Sequence, residues 1–173
     1  TGSPRVDLWN STFSNYWGAP RELPNKPFLL VSSNLNCSTI QPFHEGIRKM
    51  KKGGYFKRDP ISLKKMFGEM AGNYLKMYAF IEGIQNLANN NNGYDIVLRP
   101  HPSENAEAWK IHFEDTPSVH IIREGSITGW VNNAFAIMHN SCTTALEATV
   151  AGKPVVSYVP FKNKYDYEVP NLL

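Results

Sequence analysis

Short apolar runs alternate with helical patterns along the second half of the chain. Predicted strands are the runs at 27–33, 94–98, 119–123, 135–139 and 154–159. Apolar residues recur at three- and four-residue spacing over 61–87, and shorter helical patterns follow at 103–113, 126–134 and 142–152. Strands that alternate with helices indicate a parallel sheet covered on both faces. The predicted fold is therefore α/β, a Rossmann-like three-layer sandwich with a mainly parallel sheet.

The first part of the chain has a different character. Residues 1–27 are rich in proline and aromatic residues without a period, so we predict an interdomain or linker segment there and one Rossmann-like domain over 28–173. Residues 34–59 are predicted to be loop. Ser103 and Ser126 are the predicted N-caps of the helices that they precede. The run of asparagines before Gly93 is expected to end the long helix.

Composition and charge limit the kinds of protein that this chain can be. The chain has 173 residues, 42% of them hydrophobic, and a net charge of +3, which is too weak to indicate nucleic-acid binding. The two cysteines show neither a disulfide framework nor zinc spacing, which favours the cytoplasm, free or at the inner face of the membrane. Basic residues cluster over 48–58. That cluster is either a solvated loop or a contact with an anionic acceptor or the membrane surface.

Polar residues collect where the predicted strands end. In an open parallel sheet, ligands bind beyond the carboxyl ends of the strands. The residues in question are Ser32–Asn34, Arg99–Pro102, Glu124–Ser126, His139–Thr144 and Pro160–Lys162. Their hydrogen-bonding side chains exceed what turns require, so we expect one ligand rim.

The strand-to-helix junction at 140–144 is the richest part of this rim. Asn140, Ser141, Cys142, Thr143 and Thr144 precede a helix whose unpaired N–H groups attract anions, which predicts a phosphate bound near Cys142–Thr144. The alternative is that Ser141 or Thr143 is a plain N-cap.

Glu147 follows Ser141 by six residues, in an otherwise apolar helix. A carboxylate there can accept hydrogen bonds from a ribose diol while the phosphate lies at the helix start. The alternative is a solvated helix residue.

The stretch Arg99-Pro100-His101-Pro102 is the second candidate. Two flanking prolines restrict the backbone, so the His101 ring is held in one direction. It could donate to a phosphate oxygen or act as an acid or base, which makes it the candidate catalytic residue. His139 ends a buried strand, and we interpret it as a hydrogen-bonded core imidazole.

These motifs resemble a known family. TGSPRVD, VLRPHPSE, EGSITGWV and HNSCTTALEATVAGKPVVSY occur in the order found in the C-terminal half of bacterial surface carbohydrate biosynthesis proteins, which look like GT-B glycosyltransferases. The likeness covers about residues 1–9 and 94–171. The same skeleton is similar to the non-hydrolysing UDP-N-acetylglucosamine 2-epimerases, but paired glycines are replaced by Cys142 and Thr143, and one of the paired glutamates by Leu146. CDP-glycerol-type polymer transferases also share the His-Pro turn.

The resemblance implies the donor-binding half of a glycosyltransferase. Arg99 would lie at the site, and His101 would contact the phosphate or the transferred group. The phosphates would be held by Asn140, Ser141, Cys142, Thr143 and Thr144, and the ribose by Glu147. The base would face backbone groups of Glu124, Gly125 and Ser126, and Gly2-Ser3-Pro4 would lie at the interdomain crossover.

The resemblance also implies the partners. No metal or other cofactor is expected, and the donor is a nucleotide-sugar. A glycan or lipid-linked acceptor and the catalytic base would come through an N-terminal domain outside this chain, so the chain alone is expected to be inactive. The alternatives are a sugar-nucleotide epimerase and a non-catalytic binding or scaffold module.

Overall fold

A five-stranded, wholly parallel sheet forms the centre of the computed structural model, in the order β3-β2-β1-β4-β5. The structure describes residues 4–7, 9, 12–13, 18, 20, 22–35, 43–57, 59–90, 93–140 and 142–160. The strands are β1 (Phe28–Ser32), β2 (Asp95–Arg99), β3 (Val119–Ile121), β4 (Ala136–His139) and β5 (Val155–Ser157). The helices are α1 (Pro4–Asp7), α2 (Phe43–Lys52), α3 (Pro60–Asn89), α4 (Ala106–His112), α5 (Ile127–Asn133) and α6 (Thr144–Val150).

The direction of winding reverses between β1 and β4. The chain runs outward from β1 through β2 to β3, then crosses back to place β4 on the other side of β1 and β5 beyond it. The pairs Ser32–Arg99 and Ser32–His139 bring the carboxyl ends of the three central strands level. A reversal of this kind leaves a crevice above those ends, the usual ligand position in such sheets.

Side chains that alternate along the strands build two apolar layers. Leu29, Val31, Ile96 and Leu98 face α3 and α4, where they pack with Phe80 and Trp109. Phe28, Leu30, Val97 and Ile137 face the opposite side and pack with Trp130 and Val131 of α5 and Ala148 of α6. All five residues of β1 are buried, as expected for the central strand of a sheet covered on both faces.

The long helix α3 packs on the sheet through its C-terminal half only. Asp59 caps its start by accepting from the N–H groups of Ile61 and Ser62, each at 3.0 Å, and Pro60 takes the first position. Phe80 and Ile84 are fully buried. The Tyr158 hydroxyl, just past the carboxyl end of β5, donates to the carbonyl oxygen of Ala79 at 3.3 Å. Among the described residues, those of α3 before Met77 belong to neither apolar layer.

The predicted fold class is confirmed, with strand ends shifted by a few residues. The prediction of loop over 34–59 is wrong for 43–52, which form α2. The cause is its composition: four of its ten residues are basic and few are apolar, although Met50 is buried. Ser126 caps α5 as predicted, whereas Asn105 rather than Ser103 caps α4.

The division of the chain into a linker and a domain at residue 27 stays a prediction. Among the described residues, no helix is long and apolar enough to cross a membrane.

Candidate functional site

The carboxyl ends of β1 and β4 are joined by side-chain hydrogen bonds. The Asn34 N–H donates to the Asn140 side-chain oxygen at 2.7 Å. The Ser32 hydroxyl lies 3.4 Å from both Cys142 Sγ and Thr144 Oγ1, which are themselves 3.2 Å apart. The residues predicted for the phosphate site therefore meet at the strand reversal. Ser141 lies outside the described residues.

The start of α6 differs from a plain cap. Thr143 occupies the N-cap position with helical backbone angles, and its side chain makes no capping hydrogen bond. The Cys142 N–H donates to Nδ1 of His139 at 3.3 Å. One of the N–H groups predicted to hold an anion is thus already paired, and those of Thr143 and Thr144 remain the candidates.

His139 fits its interpretation as a hydrogen-bonded strand-end imidazole. Burial lowers its pKa below the ordinary histidine value. Because Nδ1 accepts the Cys142 N–H, the neutral ring with its proton on Nε2 is the form that fits this junction.

Glu147 lies one helical turn after Thr144. Residues three apart share a helix face, so Glu147 is next to the cluster formed by Ser32, Cys142 and Thr144. Its side chain is half-buried. This position agrees with a carboxylate beside the rim, and its contact with a ribose stays a prediction.

Arg99 organises the loop after β3. Its guanidinium donates to the carbonyl oxygens of Glu124, at 2.5 Å, and Gly125, at 3.1 Å, and it lies 5.7 Å from the ring centroid of Trp130. The Trp130 indole also donates to the Glu124 carbonyl oxygen, at 2.9 Å. Gly125 has φ of +70°, which favours glycine.

These contacts change what the β3–α5 loop can offer a ligand. The carbonyl oxygens of Glu124 and Gly125 already accept from Arg99, so any backbone contact with a base falls mainly to N–H groups. The Ser126 hydroxyl accepts from the Thr128 N–H at 3.3 Å and is used as a cap. Arg99 thus acts on the predicted base-facing loop, and its own contact with a ligand stays a prediction.

His101 is held in a tight turn with a defined tautomer. Its Nδ1 accepts from the Ser103 N–H at 3.2 Å and lies 2.6 Å from the Ser103 hydroxyl. An Nδ1 that accepts a backbone hydrogen bond carries no proton, so the neutral ring is protonated at Nε2. His101 is half-buried, and this geometry makes it a hydrogen-bond donor toward a ligand.

Sequence reasoning missed Glu104. This residue is only 2% exposed and accepts from the Ser33 hydroxyl, the Leu35 N–H and the Trp109 indole. Burial raises its pKa above the ordinary value for glutamate. The sequence signal was the tryptophan five residues later, because a tryptophan that becomes buried needs an acceptor for its indole N–H.

Two concavities among the described residues lie away from this rim. A groove of about 520 Å³ lies beside the start of β2, where Asp95 Oδ2 is 3.1 Å from Nε2 of His120 and Oδ1 is 3.9 Å from Nζ of Lys26. An apolar groove of about 550 Å³ lies between α3 and the β4–β5 edge. Within the described part of the chain, no three His, Cys, Asp or Glu side chains come together as a possible metal site.

Comparisons with known proteins show a shared fold. No family model and no curated protein matches the sequence. The structure resembles S. aureus MnaA, solved with UDP, with a TM-score of 0.50 and 14% identity over 95% of this chain. A second structure is the beta Kdo 2,7 transferase KpsC of Thermosulfurimonas dismutans, with a TM-score of 0.41 and 16% identity over 91% of this chain. This chain spans 36% and 42% of the lengths of those two chains. The likeness to MnaA supports the Rossmann-like fold.

Proposed function

We propose that this chain is the donor-binding half of a glycosyltransferase that builds surface polysaccharide from a nucleotide-sugar. The observation that carries this proposal is the cluster at the strand reversal. There Ser32 and Asn34 after β1 contact Thr144, Cys142 and Asn140 after β4. The solved structure of MnaA, which shares the fold, contains UDP, and this supports a ligand of the same class at the strand reversal.

Each part of a nucleotide-sugar has a proposed partner. The diphosphate or monophosphate lies against the N–H groups of Thr143 and Thr144, where the helix start favours negative charge. Glu147 accepts from the ribose hydroxyls. The nucleotide base lies on the loop after β3, which Arg99 holds in place. Backbone N–H groups of that loop donate hydrogen bonds to the base.

His101 is proposed to stabilise the leaving phosphate. With Nδ1 accepting from Ser103, its Nε2–H donates to a phosphate oxygen as negative charge develops there. Its tautomer makes it a donor rather than the base that deprotonates the acceptor. The base and the acceptor site belong to a facing domain, so the chain alone binds the donor without transferring sugar, and we expect this to need no metal.

A sugar-nucleotide epimerase is the second candidate. The observation that favours it is the register of Glu147, six residues after Ser141, which matches the ribose-binding glutamate of that family's pattern. An epimerase of this kind requires UDP-N-acetylglucosamine, whereas a transferase site can take another base and sugar.

Titration of the isotope-labelled chain with CMP, UDP, CDP and GDP, followed by NMR, tests the proposal. We expect one nucleotide to shift the signals of Thr143, Thr144 and the Glu124–Ser126 loop together. Conversion of UDP-N-acetylglucosamine to its 2-epimer, with the UDP still attached to the product sugar, would favour the epimerase. No binding of any of the four at millimolar concentration would contradict both and leave a binding or scaffold module.

A further inference from the structure

Glu104 is a buried carboxylate that the proposed binding site does not itself use. Its Oε1 accepts from the Leu35 N–H at 2.7 Å, and its Oε2 accepts from the Ser33 hydroxyl at 2.7 Å and from the Trp109 indole at 3.1 Å. Ser33 and Leu35 belong to the loop after β1, and Trp109 belongs to α4. The side chain therefore ties together two segments that are 69 to 71 residues apart along the chain.

The same residue also shapes the turn that holds His101. The Glu104 N–H donates to the His101 carbonyl oxygen at 2.8 Å. From the β3 side, Arg123 donates to the Pro102 carbonyl oxygen at 2.7 Å and to that of Glu104 at 3.4 Å. A shift of Glu104 would therefore move the His101 turn relative to the loop after β1.

The carboxyl group suits these three donors because both of its oxygens can accept hydrogen bonds. A glutamine amide would point its NH₂ group at the Leu35 N–H in one orientation and at the Trp109 indole in the other, so either orientation leaves a buried donor without an acceptor. A buried carboxylate is costly, and apolar side chains could have filled this volume. The arrangement thus favours a role in geometry over a role in packing alone.

We infer that Glu104 is a positioning residue, which sets the distance between the His101 turn and the loop after β1 at the mouth of the ligand crevice. This inference rests on the proposed function, because those two segments form walls of the proposed nucleotide site. Glu104 itself touches no ligand, and it acts through His101 and the Ser33–Leu35 segment.

The test compares Glu104→Gln, Ser33→Ala and the control Glu107→Gln. Ser33→Ala removes the hydrogen bond that the loop after β1 donates to Glu104. It allows the inference to be tested even if Glu104→Gln does not fold. Glu107 is an exposed glutamate in the first turn of α4, and its side chain pairs with Lys110 at 3.7 Å. The readouts are the NMR signals of the His101 ring, assigned with His101→Gln, hydrogen exchange of the Leu35 amide, and affinity for the nucleotide that the wild type prefers.

We expect Glu104→Gln and Ser33→Ala to move the His101 signals, and Glu104→Gln to speed exchange at Leu35 and weaken nucleotide binding about tenfold. Glu107→Gln should leave all three readouts unchanged. His101 signals identical to those of the wild type in both variants would overturn the inference, as would moved signals with unaltered affinity. A wild type that binds no nucleotide, with His101 still displaced in both variants, would support the positioning role and contradict the proposed function.

Discussion

The Ser32 hydroxyl lies 3.4 Å from the Thr144 hydroxyl, although 112 residues separate them along the chain. This contact joins the end of β1 to the start of α6 across the point where the strand order reverses. Both side chains are buried, so this polar contact lies at the floor of the crevice. Glu147 stands one helical turn further along α6, beside that floor.

Replacing Glu147 should weaken nucleotide binding without unfolding the chain. A charge-assisted hydrogen bond to a ribose hydroxyl contributes about 1.5–3 kcal/mol, so Glu147→Gln should lower affinity by about tenfold or more, and Glu147→Ala further. Calorimetric titration of the preferred nucleotide measures this. Glu82→Gln, an exposed glutamate of α3, is the matched control. Equal affinities for all four proteins would make Glu147 a surface helix residue.

Most of the fold could be predicted from the alternation of apolar runs with helical patterns along the sequence. The five strands could be predicted because a central parallel strand such as β1 is buried on both faces and reads as a continuous apolar run. The strand order could not be read from this pattern. It depends on which helices cover which face, a tertiary property of residues such as Phe80 and Trp130.

The rim was predictable, but the internal partners of its residues were not. The position of a residue after a strand places it at the carboxyl edge, which is how Arg99 and Asn140 were found. The guanidinium of Arg99 donates to the carbonyl oxygens of Glu124 and Gly125. This contact joins two separate loops, so it could not be predicted from the position of Arg99 after its strand. Glu104 was missed for the same reason, since two of its three donors, Ser33 and Leu35, lie 71 and 69 residues away along the chain.

Arg99→Lys should destabilise the loop after β3. Lysine cannot make the two-pronged contact with the Glu124 and Gly125 carbonyl oxygens, and hydrogen bonds to charged groups contribute about 1.5–3 kcal/mol. We expect the free energy of unfolding in urea to fall by about 1–3 kcal/mol, with a shifted Trp130 indole signal. Arg48→Lys, on the exposed face of α2, should change neither. An unaltered Trp130 signal in Arg99→Lys would contradict the proposed support of the loop.

Gly129→Ala should destabilise the protein even though alanine is the better helix residue. A Cβ at Gly129 would lie 2.3 Å from the carbonyl oxygen of Gly18 and 3.0 Å from Cδ of Pro20. Overpacking of this kind costs about 1–3 kcal/mol, which outweighs the gain of about 1 kcal/mol in helix propensity. Thermal unfolding of Gly129→Ala and Gly93→Ala checks this, since a Cβ at Gly93 meets no atom within 4 Å. Equal melting temperatures would show that Gly18 and Pro20 do not pack tightly against α5.

The basic segment around α2 should bind anionic vesicles. Residues 43–67 contain eight Lys and Arg and two Asp and Glu, hence +6, while the whole chain carries +3. Phe56 and Ile61 in the same segment are 45% and 82% exposed. Each basic residue near an anionic membrane contributes about 1 kcal/mol, so Lys49→Glu should release the protein from phosphatidylserine vesicles in sedimentation. Lys110→Glu, on α4, is the control. Equal retention of both variants would contradict a membrane contact through α2.

His139 should make the α6 junction sensitive to acid. Its folded-state pKa is lowered by burial, so the unfolded chain binds the proton more readily. The stability that neutral His139 provides is therefore present above about pH 6.5 and is lost as the pH falls below that value toward the folded pKa. Protonation places a hydrogen on Nδ1, where the Cys142 N–H now donates, and so opens the start of α6.

Melting temperatures at about pH 7.5 and about pH 5.5 measure this effect. His139→Gln keeps an acceptor for the Cys142 N–H but cannot titrate, so its melting temperature should fall less on acidification than that of the wild type. The raised pKa of Glu104 acts with the opposite sign, and it cancels in the comparison because both proteins contain it. His112→Gln, an exposed histidine of α4, should behave as the wild type does. If His139→Gln lost as much stability between the two pH values as the wild type, His139 would not be the group that destabilises the junction in acid.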